Sequence, residues 1–422
     1  MADASSDDSF ALKLTVGLGV AALLVATAIA TFLDNPVVVL ITSYAVAWAV
    51  AIVLFGDDAF SRAVNVLIVV YAAVIVFVCT LSPLPNSAIE GLPLTDRLNY
   101  YYIYYIGTGL AGVQENIETG YLLLVTAAHA MMPFEVFLAI LAVGVFATLM
   151  MLLRAIGFIQ LVGVFALLLL AYFSFWSGAL NITRQFVSAG LGFMAVVALV
   201  REGSTKQWVR ITFYVTLVSA SFSVHSSGFI FGIFGVLYAL RRYGHRLLTW
   251  IWVGNITIFL LNFFNYSPLS VVPGLSDRLA RYDSSQISDA GLAAFQSSGV
   301  TTGNRIDWAA ALLLPMLFHG AVALLNARRP AFRERADALF MLGLVYTSLC
   351  IPFYLLSFLA FGDRIAFYSF LVLPGYLLGT LVVGVGKELR YVTLALLAAG
   401  CIAQVALGIY GYTPKLWLTG LP

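Results

Sequence analysis

Apolar residues run along this chain in blocks of about 20, the length a helix needs to cross a bilayer. The blocks lie at Ala11–Phe32, Pro36–Phe55, Ala63–Ser82, Phe134–Leu153, Ile156–Ser177, Ile182–Val200, Trp208–Val224, Ser227–Leu240, Leu247–Phe264, Trp308–Ala327, Ala338–Ala360, Ile365–Gly384 and Tyr391–Tyr410. They predict an all-α fold, a polytopic transmembrane helical bundle of thirteen spans forming a single integral membrane domain over residues 1–422. Gly120–Met131 is also apolar but short and carries His129. It reads as an amphipathic or re-entrant helix, so twelve to fourteen spans bracket the count. The first block follows Asp3, Asp7 and Asp8 with only Lys13 as a cation, which is not the pattern of a cleavable signal.

The polar residues between blocks set the orientation. Arg201, Lys206 and Arg210 form one basic connection, Arg241, Arg242 and Arg246 a second, Arg328, Arg329, Arg333 and Arg335 a third, and Lys387 with Arg390 a fourth. Two spans separate each successive pair, so all four share one side, and the positive-inside rule makes that side cytoplasmic. Carried backwards, the parity also places Arg154, Arg62 and Lys13 inside, with 15 of the 22 basic residues there. The N-terminus is then inside and the C-terminus outside. Trp208, Trp250 and Trp252 fall at inner ends and Trp176, Trp308 and Trp417 at outer ends, as an interfacial belt requires, while Trp48 lies within a span.

Composition agrees with this pattern and excludes other classes. Hydrophobic residues make up 62% and charged residues 10%, and mean hydropathy is +0.98. A soluble chain is about 45–50% apolar and about 25% charged. A soluble enzyme, a disordered chain and a nucleic-acid binder are excluded. Net charge is +2, so no bulk field favours a polyanionic partner. Cys79, Cys350 and Cys401 all lie in apolar blocks and read as core thiols.

Two long connections fall outside, at 83–132 and 265–307. The first holds Glu90, Asp96, Arg97, Glu115, Glu118 and His129, the second Asp277, Arg278, Arg281, Asp283, Asp289 and Arg305. Connections of this length are usually functional or disordered. Three polar points sit at outer helix ends: Asn181, Arg184 and Gln185; His225 with Ser226 and Ser227; and Asp363 with Arg364. The blocks flanking His225 are short and no loop joins them, so His225 belongs in a recess below the outer surface. Ser219, Ser221 and Ser223 precede it, and Gly228, Gly232 and Gly235 follow and permit close helix approach. His225 reads equally as a hydrogen-bonded structural residue, Arg184 as a snorkelling anchor, and Arg278 with Arg281 as part of a solvated helix. The run of Tyr100, Tyr101, Tyr102, Tyr104 and Tyr105 reads as an interfacial helix or a sugar-stacking platform, and His319 as a satisfied packing residue. No span midpoint carries a charge, which argues against a proton- or ion-coupled pump. No acidic cluster has divalent-metal spacing, so a metal-independent external site, or a channel with neutral walls, is expected.

Several segments resemble the EpsG-like branch of the Wzy-type polysaccharide polymerases. They are Asp96-Arg97-Leu98-Asn99-Tyr100, Glu118-Thr119-Gly120-Tyr121, Thr183-Arg184-Gln185, His225-Ser226-Ser227 and the stretch from Arg364 to Tyr368. Their order and spacing agree over about residues 90–240 and again near 364, although Leu94-Thr95 stands where a Gly-Thr pair is expected. The resemblance implies a GT-C-like glycosyltransferase without cofactor or metal in the cytoplasmic (inner) membrane. It would polymerise polyprenyl-diphosphate-linked oligosaccharide repeat units on the external face. Its partners would be the lipid-linked glycan donor and acceptor, membrane lipid and proteins of envelope polysaccharide assembly. The acceptor hydroxyl would lose a proton to a base and attack the anomeric carbon as the diphosphate departs. His225 is the first choice of base, because a neutral imidazole accepts a proton, with Glu118 and Asp96 as alternatives. Arg184 and Arg364, helped by Arg278 or Arg281, would bind diphosphate. Gln185, Tyr100, Tyr121 and Tyr368 would contact substrate. Two other classes remain: a flippase or transporter of lipid-linked glycan, and a single-addition GT-C enzyme using a polyprenyl-monophosphate sugar.

Overall fold

The computed structural model describes residues 36–55, 59–81, 100–101, 103–105, 118–180, 182–201, 206–263, 302–327, 330–356 and 362–407. Among these residues the regular structure is helical throughout. The helices are α1 (Pro36–Val53), α2 (Ala59–Leu81), α3 (Thr119–His129), α4 (Phe134–Ile156), α5 (Val162–Ala171), α6 (Phe173–Leu180), α7 (Thr183–Val200), α8 (Gln207–Val224), α9 (Ile230–Ala239), α10 (His245–Phe263), α11 (Thr302–Asn326), α12 (Pro330–Arg333), α13 (Ala336–Leu356), α14 (Gly362–Gly384) and α15 (Lys387–Leu407).

Twelve of the thirteen predicted blocks have a helical counterpart, and Ala11–Phe32 lies outside the described residues. Seven of the helices contain a stretch long and apolar enough to cross a membrane: α2, α4, α7, α11, α13, α14 and α15. The block predicted at Ile156–Ser177 is not one straight helix. Residues Ile159–Ala171 and Phe173–Leu180 meet at a bend of 68°, and counted as one broken span they make eight. The bend has a visible support. Trp176, predicted for the interfacial belt, is fully buried, and its indole Nε1 donates to the Leu170 carbonyl at 2.8 Å, just before the break. A carbonyl beside such a break has lost its place in the helical ladder, and in an apolar interior it needs a donor. Trp208 and Trp250 are exposed, as the belt requires.

Contacts divide the chain into two compact units, Met1–Gly190 with Val385–Pro422, and Leu191–Gly384. In the first, α2 packs on α4 and α5, and α15 packs on α1 and α5. Trp48, which broke the belt pattern, is a core residue here. It is buried and meets Tyr44 edge-on at 6.4 Å, and the Tyr44 hydroxyl donates to the Leu167 carbonyl of α5 at 2.7 Å. In the second unit α13 packs on α14, α10 and α9, and α11 packs on α14.

Helix α2 shows which solvent this fold meets. Val66, Leu67, Val70 and Val74 are more than half exposed, at 62%, 64%, 55% and 55%, whereas Ser61, Asn65 and Thr80 face inward and are buried. A helix in water does the reverse. Aliphatic residues outside and polar ones inside are what a hydrocarbon solvent selects. The protein is therefore an all-helical membrane protein. The three cysteines are buried and free, as core thiols should be.

Candidate functional site

Helix α3 starts at Glu118, whose backbone is extended (φ −65°, ψ 137°) and whose carbonyl accepts from Tyr121 and Leu122 N–H. A short polar side chain such as Asp or Ser at this position usually turns back to cap the helix. Glu118 makes no such cap. Its carboxylate reaches Arg184 instead, accepting from Nη1 at 2.7 Å.

Arg184 is the second residue of α7, where the helix dipole disfavours a cation. The site compensates. Besides Glu118, the Tyr100 hydroxyl accepts from Nε at 3.3 Å, and the guanidinium carbon lies 5.8 Å from the Tyr100 ring centre. Tyr100 in turn meets Tyr121 edge-on at 5.6 Å. The Arg184 and Glu118 side chains stay partly open, 19% and 23% exposed. Tyr121 is fully buried, and its hydroxyl has no hydrogen-bond partner among the described residues. Burial raises the Tyr121 phenol well above its ordinary pKa, Tyr100 adds to the effect, and Arg184 acts against both. The phenol therefore stays protonated and can donate. Gln185 is buried next to Arg184, and the buried Thr183 hydroxyl also has no partner among the described residues.

Other described members of the run pack on Phe134 and the turn before it. Tyr104 and Tyr101 meet Phe134 at 5.3 Å and 5.7 Å, the Tyr105 hydroxyl accepts from Phe134 N–H at 3.2 Å, and Tyr104 donates to the Met132 carbonyl.

In the second unit, His225 ends α8 and starts a 3-10 turn, Ser226–Phe229. It is half-buried. Ser227 N–H donates to His225 Nδ1 at 3.2 Å, and the Ser227 hydroxyl lies 2.6 Å from the same nitrogen. The Ser227 oxygen is also 2.6 Å from the hydroxyl of Tyr368 on α14, a fully buried residue. Tyr368 was expected to touch substrate; its hydroxyl is seen on Ser227. The turn folds this tightly because of Gly228. A Cβ there would stand 2.5 Å from Ser221 Oγ and 2.6 Å from the Ser221 carbonyl carbon. Gly235 similarly admits the Tyr214 ring, whose hydroxyl donates to the Phe231 carbonyl. A Cβ added at Gly232 would meet nothing within 4 Å.

His319 donates or accepts through Nδ1 with the Tyr376 hydroxyl at 2.8 Å, while its Nε2 is unpartnered among the described residues. It is buried but only half satisfied. Asp96, Arg278 and Arg281 lie outside the described residues. Arg364 lies on the backbone of α14, and its side chain is outside what is described.

The fold defines a polytopic membrane protein, and the first unit carries a partly open arginine held by a carboxylate and a phenol. The EpsG family model matches residues 73–413. The chain belongs to the EpsG family, and that membership points to a membrane protein of the polysaccharide-polymerase type. No curated protein and no solved structure matches the chain.

Proposed function

We propose that this protein is a metal-independent glycosyltransferase that polymerises polyprenyl-diphosphate-linked oligosaccharide repeat units on the external face of the cytoplasmic membrane. The observation that carries the reading is Arg184, a cation at the start of an apolar helix, bonded to Glu118 and Tyr100 yet still open. Family membership supports the reaction class. The apolar blocks of the sequence support thirteen spans, its basic connections an inside N-terminus and an outside C-terminus, and the family resemblance implies a GT-C-like arrangement.

The site suits diphosphate chemistry. A guanidinium stays charged and matches phosphate oxygens through its planar fork. As the diphosphate engages Arg184, it replaces Glu118 as the arginine's anion. The freed carboxylate is then a base. The acceptor hydroxyl gives its proton to Glu118, its oxygen forms a bond to the anomeric carbon, and the bond from that carbon to the diphosphate oxygen breaks. The leaving electron pair stays on the diphosphate, where Arg184 and the Tyr121 hydroxyl meet it. Preorganised donors of this sort often supply the largest catalytic term. Gln185 is a sugar ligand in this reading and Asp96 a residue that orients the acceptor. The partners are the lipid-linked donor and acceptor, membrane lipid and proteins of envelope polysaccharide assembly.

The test is reconstitution in liposomes with polyprenyl-diphosphate oligosaccharide. The expected result is a ladder of longer products with release of polyprenyl diphosphate, lost in Arg184→Ala at unchanged protein yield. Side-to-side movement of the substrate without covalent product would overturn the reading in favour of a transporter. Dependence on a divalent cation and on a monophosphate donor would favour a single-addition enzyme.

A further inference from the structure

We infer that the turn joining α9 to α10 is a binding site for the headgroup of an anionic phospholipid, with Arg241 and Arg242 as its phosphate ligands and Arg246 as a further cation beside them. The inference is independent of the reaction proposed above, and every residue it uses lies in the second unit.

The turn is short and sharply bent. Arg241–Tyr243 form a 3-10 turn, and the Gly244 N–H closes it on the Arg241 carbonyl at 2.9 Å. Gly244 has φ 57° and ψ −143°, a backbone that only glycine adopts readily. Helix α10 then begins at His245, so Arg241, Arg242 and Arg246 stand together at one end of the helix pair. All three are exposed, and none is paired with a carboxylate among the described residues. Asp337 acts electrostatically on the neighbouring His245 and bonds none of them.

What holds two of the guanidinium groups is aromatic. Arg241 lies over the Tyr238 ring, 4.1 Å from its centre, and its Nη1 donates to the Tyr238 carbonyl at 3.1 Å. The Tyr238 hydroxyl donates to the Leu199 carbonyl at 3.3 Å, which ties this ring to the end of α7. Arg242 lies over the Tyr243 ring at 5.0 Å, and its Nη2 donates to the Tyr243 hydroxyl at 3.1 Å. A ring face, a phenol or a carbonyl positions a guanidinium without cancelling its charge. Ordering two long side chains in advance also lowers the entropy lost when an anion arrives. A segment that only sets membrane orientation needs charge and no fixed geometry. The aromatic seats go beyond that need, and the planar forks they hold suit phosphate oxygens.

The surroundings favour a lipid over a free anion. The Tyr243 ring meets Trp250 at 5.7 Å, and Trp250 is 59% exposed one helical turn beyond Arg246. Val253 is exposed on the same face of α10, and Val236 and Leu240 are exposed just before the turn. Exposed aliphatic residues meet hydrocarbon in this fold. An amphiphile with an anionic head and acyl chains matches both parts, its head on the arginines and its chains along Trp250 and Val253.

The test uses the full chain in nanodiscs of phosphatidylcholine with a minor fraction of phosphatidylglycerol, and native mass spectrometry of the released protein reads which lipid is retained. Both lipids carry a phosphate, but only phosphatidylglycerol has a net negative charge. Wild type should retain it in excess of its share of the disc. Arg241→Gln with Arg242→Gln should lower that preference by about fivefold for each arginine removed. Tyr238→Leu with Tyr243→Leu keeps every charge, so a change of orientation does not mimic its result, and it should lower the preference severalfold. Tyr238→Phe with Tyr243→Phe keeps the rings and should retain most of it. No preference in wild type, or an unchanged preference in the leucine variant, overturns the inference. Excess inorganic phosphate should leave the retained lipid in place; loss of the lipid to it means a site for the free anion and overturns the lipid assignment.

Discussion

Arg184 and Glu118 are 66 residues apart in the chain, and their side chains meet at 2.7 Å in a pair that is about one-fifth exposed on either side. The glutamate begins a helix it does not cap. Arg184, by contrast, stands at the start of α7, where the helix dipole disfavours a cation, and Glu118 supplies the compensating charge.

Replacing Arg184 by lysine separates charge from shape. An ammonium keeps the charge and loses the planar fork. Elongation should fall by about a hundredfold, whereas stability should change by about 1 kcal/mol, because the pair is partly open to solvent. Product ladders and thermal unfolding in the same lipid check the two halves of this statement.

Tyr121→Phe removes a buried hydroxyl that has no partner among the described residues. Losing an unsatisfied polar group is neutral or stabilising by about 1 kcal/mol. If the hydroxyl serves the leaving diphosphate, elongation nevertheless falls. A rise or no change in unfolding temperature together with lower activity is the expected combination; unchanged activity would remove Tyr121 from the site.

The glycines after His225 should behave differently from one another. Gly228→Ala drives a Cβ to 2.6 Å from backbone, with no flexible side chain to give way. It should destabilise by about 1–3 kcal/mol and disturb the His225 turn. Gly232→Ala has nothing within 4 Å of the added carbon, lies inside α9, and should stabilise by about 0.5–1 kcal/mol. Unfolding of the two variants in matched detergent tells them apart.

Val70 on α2 is 55% exposed and is read as facing lipid. Val70→Asp should hinder insertion by about 2.5–3.5 kcal/mol at mid-span, seen as loss of membrane-integrated protein. Val70→Leu should be silent. Normal insertion of the aspartate variant would mean that this face does not meet hydrocarbon.

Candidate positions were legible in the sequence; the contacts they make were not. Arg184, Glu118 and His225 stand out because a cation, a carboxylate or an imidazole at the end of an apolar block is costly and needs a reason. The pairing of Arg184 with Glu118 and Tyr100, across 66 and 84 residues, depends on tertiary approach that no local pattern encodes. Tyr368 was marked as a substrate residue, yet its hydroxyl joins Ser227 across 141 residues. The helices were readable from block length, although only seven or eight of the thirteen predicted spans are long and apolar enough to cross among the described residues, and the 68° break was not readable, since Tyr172 interrupts an apolar run without a proline or a charge. Trp176 looked interfacial by position, and the same break turned it inward as a donor to Leu170.

A cation that already has an anion of its own is a selective one. Membrane surfaces offer phosphate headgroups in large excess, and a bare arginine at their edge would be occupied by them. With Glu118 at 2.7 Å, any arriving anion has to displace a carboxylate. A headgroup carrying one negative charge exchanges like for like and gains little, whereas a diphosphate brings more charge and more oxygens to the same fork. On the proposed reading the internal pair would set a threshold for admission that ordinary phospholipid does not reach.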